Sequence, residues 1–218
     1  MYTNFSDNQM RVLNWWTSVD GQNKVGIICD GATRSGKSYC TGISFINWGM
    51  LNFINCKFAI CGKSTADILR NVLNNIITVF TDLEMHLNKI NGIEVIEFVH
   101  NGVVNYFYLI GQENIGKVKA NDNYMGIFFD DVTLLSISFV QKMLKHMNER
   151  TKLWFTCTPG CSENWFYTNW ILKANELNLL YVHLDISDNL MLSQEDILKY
   201  SQLYKGIFYD RFILGKWS

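Results

Sequence analysis

Proline is nearly absent from these 218 residues, Pro159 being the only one. No Pro-rich stretch therefore marks a stiff linker between separate domains. There is no internal repeat, no low-complexity tract and no long block of like charge, so disorder, collagen-like repeats and coiled coil are excluded. Charge of one sign is not in excess either: 19 basic against 20 acidic residues leave a net charge of −1. That balance rules out a uniformly basic nucleic-acid coat but not a local basic patch. No run approaches the roughly 20 apolar residues of a membrane span. The opening Met1–Asp7 lacks the basic-then-apolar layout of a signal peptide, so the sequon Asn4-Phe5-Ser6 carries no meaning. The six cysteines (Cys29, Cys40, Cys56, Cys61, Cys157, Cys161) form no CxxC and have no paired histidines at zinc spacing, and read as reduced thiols. A soluble intracellular protein is expected.

What is present is apolar surface. Hydrophobic residues make up 48% of the chain and aromatics 14%, with seven Trp, enough for a sizeable core in one domain or a domain plus a small appendage. Strands and helices alternate. Strands are expected at Lys24–Cys29, Lys57–Cys61, Met125–Phe129, Leu153–Cys157 and Leu179–Leu184. Helices are expected at 7–18, 37–51, 65–80, near 137–148, near 164–175 and at 193–203. Ile93–Val99 and Val103–Ile110, split by Asn101-Gly102, read as a β-hairpin. The fold class is α/β, with a mainly parallel sheet, helices on both faces, the hairpin as an insertion and a small C-terminal piece. Trp15, Trp16, Trp154, Trp165 and Trp170 lie in or beside these elements, so most read as core.

Gly31-Ala32-Thr33-Arg34-Ser35-Gly36-Lys37-Ser38 satisfies GxxxxGK[ST] between an apolar strand and a helix, the context its chemistry requires. Glycines let the backbone wrap so that successive N–H groups face phosphate oxygens, and the helix start adds positive potential. Lys37 neutralises charge on the β- and γ-phosphates, and Ser38 offers a hydroxyl to Mg²⁺. Chance alone yields such a pattern in about one chain in a hundred of this length.

The strand Gly126–Phe129 runs into Asp130-Asp131. In P-loop enzymes the first carboxylate of such a pair holds Mg²⁺ and the second polarises the attacking water. The elements separating the two motifs imply that another strand lies between theirs in the sheet, an arrangement of hydrolytic motors.

With these motifs in this order the chain resembles the ATPase domain of viral large terminase subunits, the motors of tailed bacteriophages that package double-stranded DNA into procapsids. Phe5-Ser6-Asp7-Asn8-Gln9 is similar to the family's adenine-recognition segment, which makes Gln9 the base reader. Arg34 fills the place of the arginine carried inside terminase phosphate loops. The family's acidic motif, usually ending Asp-Glu, corresponds to Gly126–Asp131. Thr156-Cys157-Thr158-Pro159 falls at the coupling motif, and Glu163–Tyr167, Asp188-Asn189, Tyr204–Tyr209 and Ile213–Trp217 resemble segments that close the domain.

The resemblance implies a P-loop NTPase of the additional-strand type, with core 1–185 and a C-terminal lid or linker 186–218. It implies ATP and Mg²⁺ as cofactors and catalysis by Lys37, Arg34 and Asp131. Ser38 and Asp130 become metal ligands, and Thr156 and Thr158 coupling residues. Arg150 and Lys145 are candidates to act in trans within a homo-oligomeric ring, the isolated domain being monomeric. Lys117, Lys119 and Lys145 are candidate contacts to DNA phosphates. A portal protein and a small terminase subunit are the implied partners, the host cytoplasm the location, and no nuclease activity is expected. Two alternatives stay open: a helicase or translocase of another P-loop family, and a nucleotide-gated assembly module with little hydrolysis.

Overall fold

The computed structural model describes residues 5–218 and is α/β. Asn4, and so the sequon, and the start of the opening segment lie outside the described residues. The strands are β1 (Gly26–Gly31), β2 (Lys57–Gly62), β3 (Glu84–Ile90), β4 (Ile93–His100), β5 (Val103–Gly111), β6 (Gly126–Phe129), β7 (Lys152–Cys157) and β8 (Leu179–Leu184). They are ordered β3-β4-β5-β2-β6-β7-β1-β8, which sets β7 between β1 and β6 as the motif spacing predicts. The chain divides into two compact units, Gly42–Trp154 and Met1–Thr41 with Phe155–Ser218.

In the Gly42–Trp154 unit, β2 pairs in parallel with both β5 and β6. The expected β4–β5 hairpin is present, and Asn101 (φ +48°) and Gly102 (φ +81°) take the left-handed turn that Asn-Gly favours. A second hairpin, β3–β4, turns at Asn91 (φ +52°) and Gly92 (φ +79°) and is an addition to the sequence reading. Its strand Glu84–Ile90 is exposed through Lys89, so no burial alternation announces it. Helix α2 (Lys37–Asn52) contributes Phe45 to this unit, with rings of Phe58, Phe107, Phe128 and Trp154 at centroid distances of 5.0–6.0 Å. Such pairs add to the stabilisation from burial. The end of α2 is fixed by buried Asn105 on β5, whose Nδ2 donates to Gly49 O (3.2 Å) and Phe53 O (2.8 Å) while Oδ1 accepts from Cys56 N (2.9 Å).

The expected helix over 65–80 is a composite. α3 (Thr65–Ile68), capped by Ser64, passes through a π-helical turn at Leu69–Leu73 into α4 (Asn74–Ile76) and a 3₁₀ turn at Ile77–Val79. The apolar face is as read, with Ile68, Val72, Leu73 and Ile76 buried. The paired asparagines and the β-branched run disfavour regular α geometry. α5 (Ile137–Leu144) is shorter than its expected span.

In the other unit, α1 (Asp7–Asn14) is fixed by a capping box between Ser6 and Gln9 and ends four residues early. β1 and β8 pair in parallel, with Asp30 opposite His183. The expected helix near 164–175 holds a π-helical turn at Tyr167–Ile171. α6 (Gln194–Leu203) follows the sequence reading. α7 (Ile207–Phe212) was not read from sequence, being six residues long and started by Gly206 at φ +55°. Ala32, Ile186 and Ile213 form a small core, joined by Leu192, Ile197 and Tyr200. Trp15 and Trp154 are fully buried, and Trp16, Trp165 and Trp170 are half-buried. The six cysteines are free, and no helix among the described residues is long and apolar enough to cross a membrane.

Candidate functional site: a phosphate loop

β1 is buried along its whole length and delivers the chain to Gly31. Gly31 (φ +133°), Arg34 (φ +65°) and Gly36 (φ +91°) turn the backbone sharply before α2 begins at Lys37. The crowding explains the glycines. A Cβ on Gly31 would stand 2.0 Å from Leu184 O, and one on Gly36 would stand 2.7 Å from Gln9 Nε2. The loop is pinned from outside: Ala32 N donates to Leu184 O (2.9 Å) and Thr33 N to Phe212 O (2.8 Å). From within, Ser35 Oγ donates to Ala32 O (2.8 Å). Lys37 is only 8% exposed, and its Nζ donates to Gly31 O (2.9 Å) and Ala32 O (2.6 Å).

Gln9, expected from the resemblance to read the base, is bonded to this loop. It is buried, and its Nε2 donates to Ser35 O (3.0 Å) while Oε1 accepts from Ser6 N (3.2 Å). The Arg34 guanidinium lies 4.2 Å from the Tyr200 ring centre, a cation–π contact to α6, and its carbonyl accepts from Asn189 Nδ2 (2.7 Å). Burial pushes the Cys40 thiol up to about 12 and raises Cys29 as well, an effect Lys37 opposes. Both thiols stay neutral, so neither adds negative charge where a phosphate would sit. The turned backbone, the lysine and the helix start fit a polyphosphate.

In the Gly42–Trp154 unit, β6 is followed directly by Asp130, 7% exposed, whose N–H donates to Cys61 O (2.8 Å). Asp131 follows in the left-handed region (φ +46°, ψ +57°), and Thr133 Oγ1 donates to its Oδ1 (3.1 Å). Asp tolerates that backbone better than the longer Glu, a local reason for Asp at this position. Among the described residues no cluster of three or more His, Cys, Asp or Glu could hold a metal. Magnesium is commonly held through one or two protein side chains plus substrate phosphates, and Ser38 and Asp130 each carry an oxygen donor of the kind it takes.

Thr156 is buried on β7 and Thr158 lies just beyond its end, half-buried. Arg150 is exposed, with its guanidinium 5.5 Å from the Phe53 ring centre. Lys145, exposed, caps α5. Lys117 Nζ donates to Gly92 O (3.1 Å), and Lys119 is exposed. A recess of about 340 Å³ between residues 115–120 and the end of α5 has Lys142, Lys145 and His146 on its wall. A larger one of about 690 Å³ is lined by Lys63 but also by Asp67, Glu94 and Glu113, an acidic wall unsuited to phosphate.

Sequence reasoning missed Asp30 and His183. Asp30 is fully buried directly before the loop, its Oδ1 2.8 Å from His183 Nδ1 and its Oδ2 accepting from Trp217 Nε1 (2.8 Å). The available signal was a lone carboxylate ending an otherwise apolar strand.

A phosphate loop between β1 and α2, with an extra strand between β1 and the acidic strand β6, defines a P-loop NTPase of the additional-strand type. No family model matches the sequence, and no curated protein is significantly similar to it. Among solved structures, the large terminase of a thermophilic bacteriophage is 34% identical and superposes with a TM-score of 0.88, covering 99% of this chain and 54% of that one. The same terminase in complex with ADP gives 0.89 at 34% identity, covering 98% and 54%. The ATPase domain of the Thermus phage P74-26 large terminase shares the fold at 11% identity with a TM-score of 0.65, covering 99% of this chain and 100% of that one. The chain belongs with the phage large terminases and corresponds to their ATPase domain. It spans about half the length of the terminase chain to which it is 34% identical.

Proposed function

We propose that this chain is the ATP-hydrolysing motor domain that drives double-stranded DNA into a viral procapsid. One observation carries the reading: a complete phosphate loop, folded between β1 and α2, in a chain 34% identical along 98% of its length to a terminase solved with ATP-γ-S. Lys37 and Arg34 stabilise charge on the γ-phosphate, and Arg34 leaves Tyr200 to do so. Ser38 and Asp130 would hold Mg²⁺, which supplies neutralising charge on the phosphates. Asp131 orients the attacking water. Gln9 sets the base end of the nucleotide through the segment that it caps.

Thr156 and Thr158 pass the loss of the γ-phosphate to a lid at 186–218, set on a core at 1–185. Lys117, Lys119 and Lys145 meet DNA phosphates, which a motor indifferent to sequence must grip. In a ring at the portal, Arg150 or Lys145 acts in trans, and a small terminase subunit delivers the DNA. This reading places the protein in the cytoplasm of an infected host cell, with no nuclease activity in these residues.

The test is steady-state ATP hydrolysis with and without Mg²⁺. Asp131→Asn should keep ATP binding and lose about 10²- to 10⁴-fold in turnover. Wild-type turnover in Asp131→Asn would remove Asp131 from the reaction.

A further inference from the structure

The segment Gly206–Trp217 is tied to the base of the phosphate loop at three levels. At the backbone, the loop's Thr33 N–H donates to Phe212 O (2.8 Å). At the side chains, Asp30, fully buried one residue before the loop, uses one oxygen for His183 (2.8 Å) and the other for Trp217 Nε1 (2.8 Å). The parallel register makes the first contact, because Asp30 and His183 are partners across β1 and β8. By packing, Trp217 stacks on Tyr167 at 4.7 Å. Gly215 (φ +63°) fits so closely that a Cβ there would stand 2.7 Å from His183 Cε1 and 2.8 Å from Ala32 N.

A buried carboxylate with only neutral apolar neighbours is costly, and one whose oxygens are all engaged is held in one geometry. We infer that Asp30, His183 and Trp217 are positioning residues: they clasp the C-terminal strap onto Ala32 and Thr33 and so hold the phosphate loop in its phosphate-ready shape. The inference rests on the reading of this loop as an ATP site for its consequence, but the clasp has a readout of its own. Asp30 touches no phosphate in this role. It acts through Trp217 and the strap, whose Phe212 carbonyl fixes the Thr33 amide. The strap therefore sets the shape of a loop to which it contributes no phosphate-binding side chain.

Two glycines make the comparison clean. Gly206 and Gly215 both have positive φ (+55° and +63°), so an alanine at either strains the backbone, yet a Cβ on Gly206 has nothing within 4 Å. Amide hydrogen exchange of the nucleotide-free chain is the direct measurement. Trp217→Phe, which keeps the stack and loses the donor, and Gly215→Ala should both speed exchange of the Thr33 amide, whereas Gly206→Ala should not. ATP affinity, read by calorimetry, should fall roughly 3- to 10-fold in Trp217→Phe, the size of one lost hydrogen bond. His183→Ala should show the same loss, and His183→Asn, which restores a donor near the Nδ1 position, should recover most of it.

Unchanged Thr33 exchange in Trp217→Phe, or equal effects of the two glycine substitutions, would overturn the clasp. A wild-type chain that binds no ATP while the exchange pattern holds would instead overturn the ATP reading and leave the clasp standing.

Discussion

The two units of this chain are held by different physics. Gly42–Trp154 has an aromatic interior, with Phe45, Phe58, Phe107, Phe128 and Trp154 in edge, tilted and stacked contact and with Asn105 and Ser44 among its buried, bonded polar groups. The unit that carries the phosphate loop buries Asp30, Ser35, Lys37, Gln9 and Asp188 instead, joined by directed hydrogen bonds. Ring packing is non-directional and forgives shape changes better than charge changes, while a bonded polar set fails when one partner is lost. The contrast teaches where precision is kept: the phosphate loop is fixed by bonds of defined geometry, while ring packing such as that around Phe45, or around Phe155 and Phe166 in the loop's own unit, supplies bulk cohesion.

The largest effect should come from breaking the aromatic interior. Phe45→Ala removes a ring in contact with four others and should cost about 3–5 kcal/mol in urea unfolding. Asn105→Leu orphans the Gly49 and Phe53 carbonyls and the Cys56 amide, and should cost about 1–3 kcal/mol in the same assay.

In the polar unit, Ser6→Ala removes the cap of α1 and the donor to Asp188 Oδ1 (2.6 Å). The expected loss is about 0.5–2 kcal/mol, with faster exchange along α1. The smallest effect sharpens the contrast through pH. His183 is raised above its ordinary value of 6.5, chiefly by its hydrogen bond to Asp30, with Asp185 adding to the shift and burial opposing it. Tyr181 also faces Asp30. A raised histidine stabilises fully below its unfolded value and loses that contribution as pH rises through its folded one. Thermal stability should therefore decline from about pH 6.5 upward, and His183→Asn should flatten that part of the profile.

Legibility in the sequence followed the same contrast. The phosphate loop, the Asn101-Gly102 hairpin and strands β2, β6 and β8 declare themselves through local chemistry: fixed spacing, a turn dipeptide, short apolar runs. β3 does not, because an outer strand exposed on both faces has no pattern to read. The π-helical turns at Leu69–Leu73 and Tyr167–Ile171 escape for another reason, since the apolar spacing of a π turn differs little from that of an α turn over five residues. In the site, Lys37 and Gln9 both bond to carbonyls of the phosphate loop, Lys37 from within its motif and Gln9 from a distant segment. The Asp30–His183–Trp217 cluster joins residues 153 and 187 positions apart, His183 through strand register and Trp217 through the path of the C-terminal segment, neither of which is local in sequence.

The most direct test of the account is steady-state ATP hydrolysis by the chain at low salt, alone, with duplex DNA and with single strands, because phosphate contacts weaken steeply as salt rises. A packaging motor domain predicts Mg²⁺-dependent hydrolysis stimulated more by duplex than by single strands. Equal or greater stimulation by single strands would contradict it in favour of a helicase, and ATP binding without hydrolysis would contradict it in favour of a nucleotide-gated assembly module.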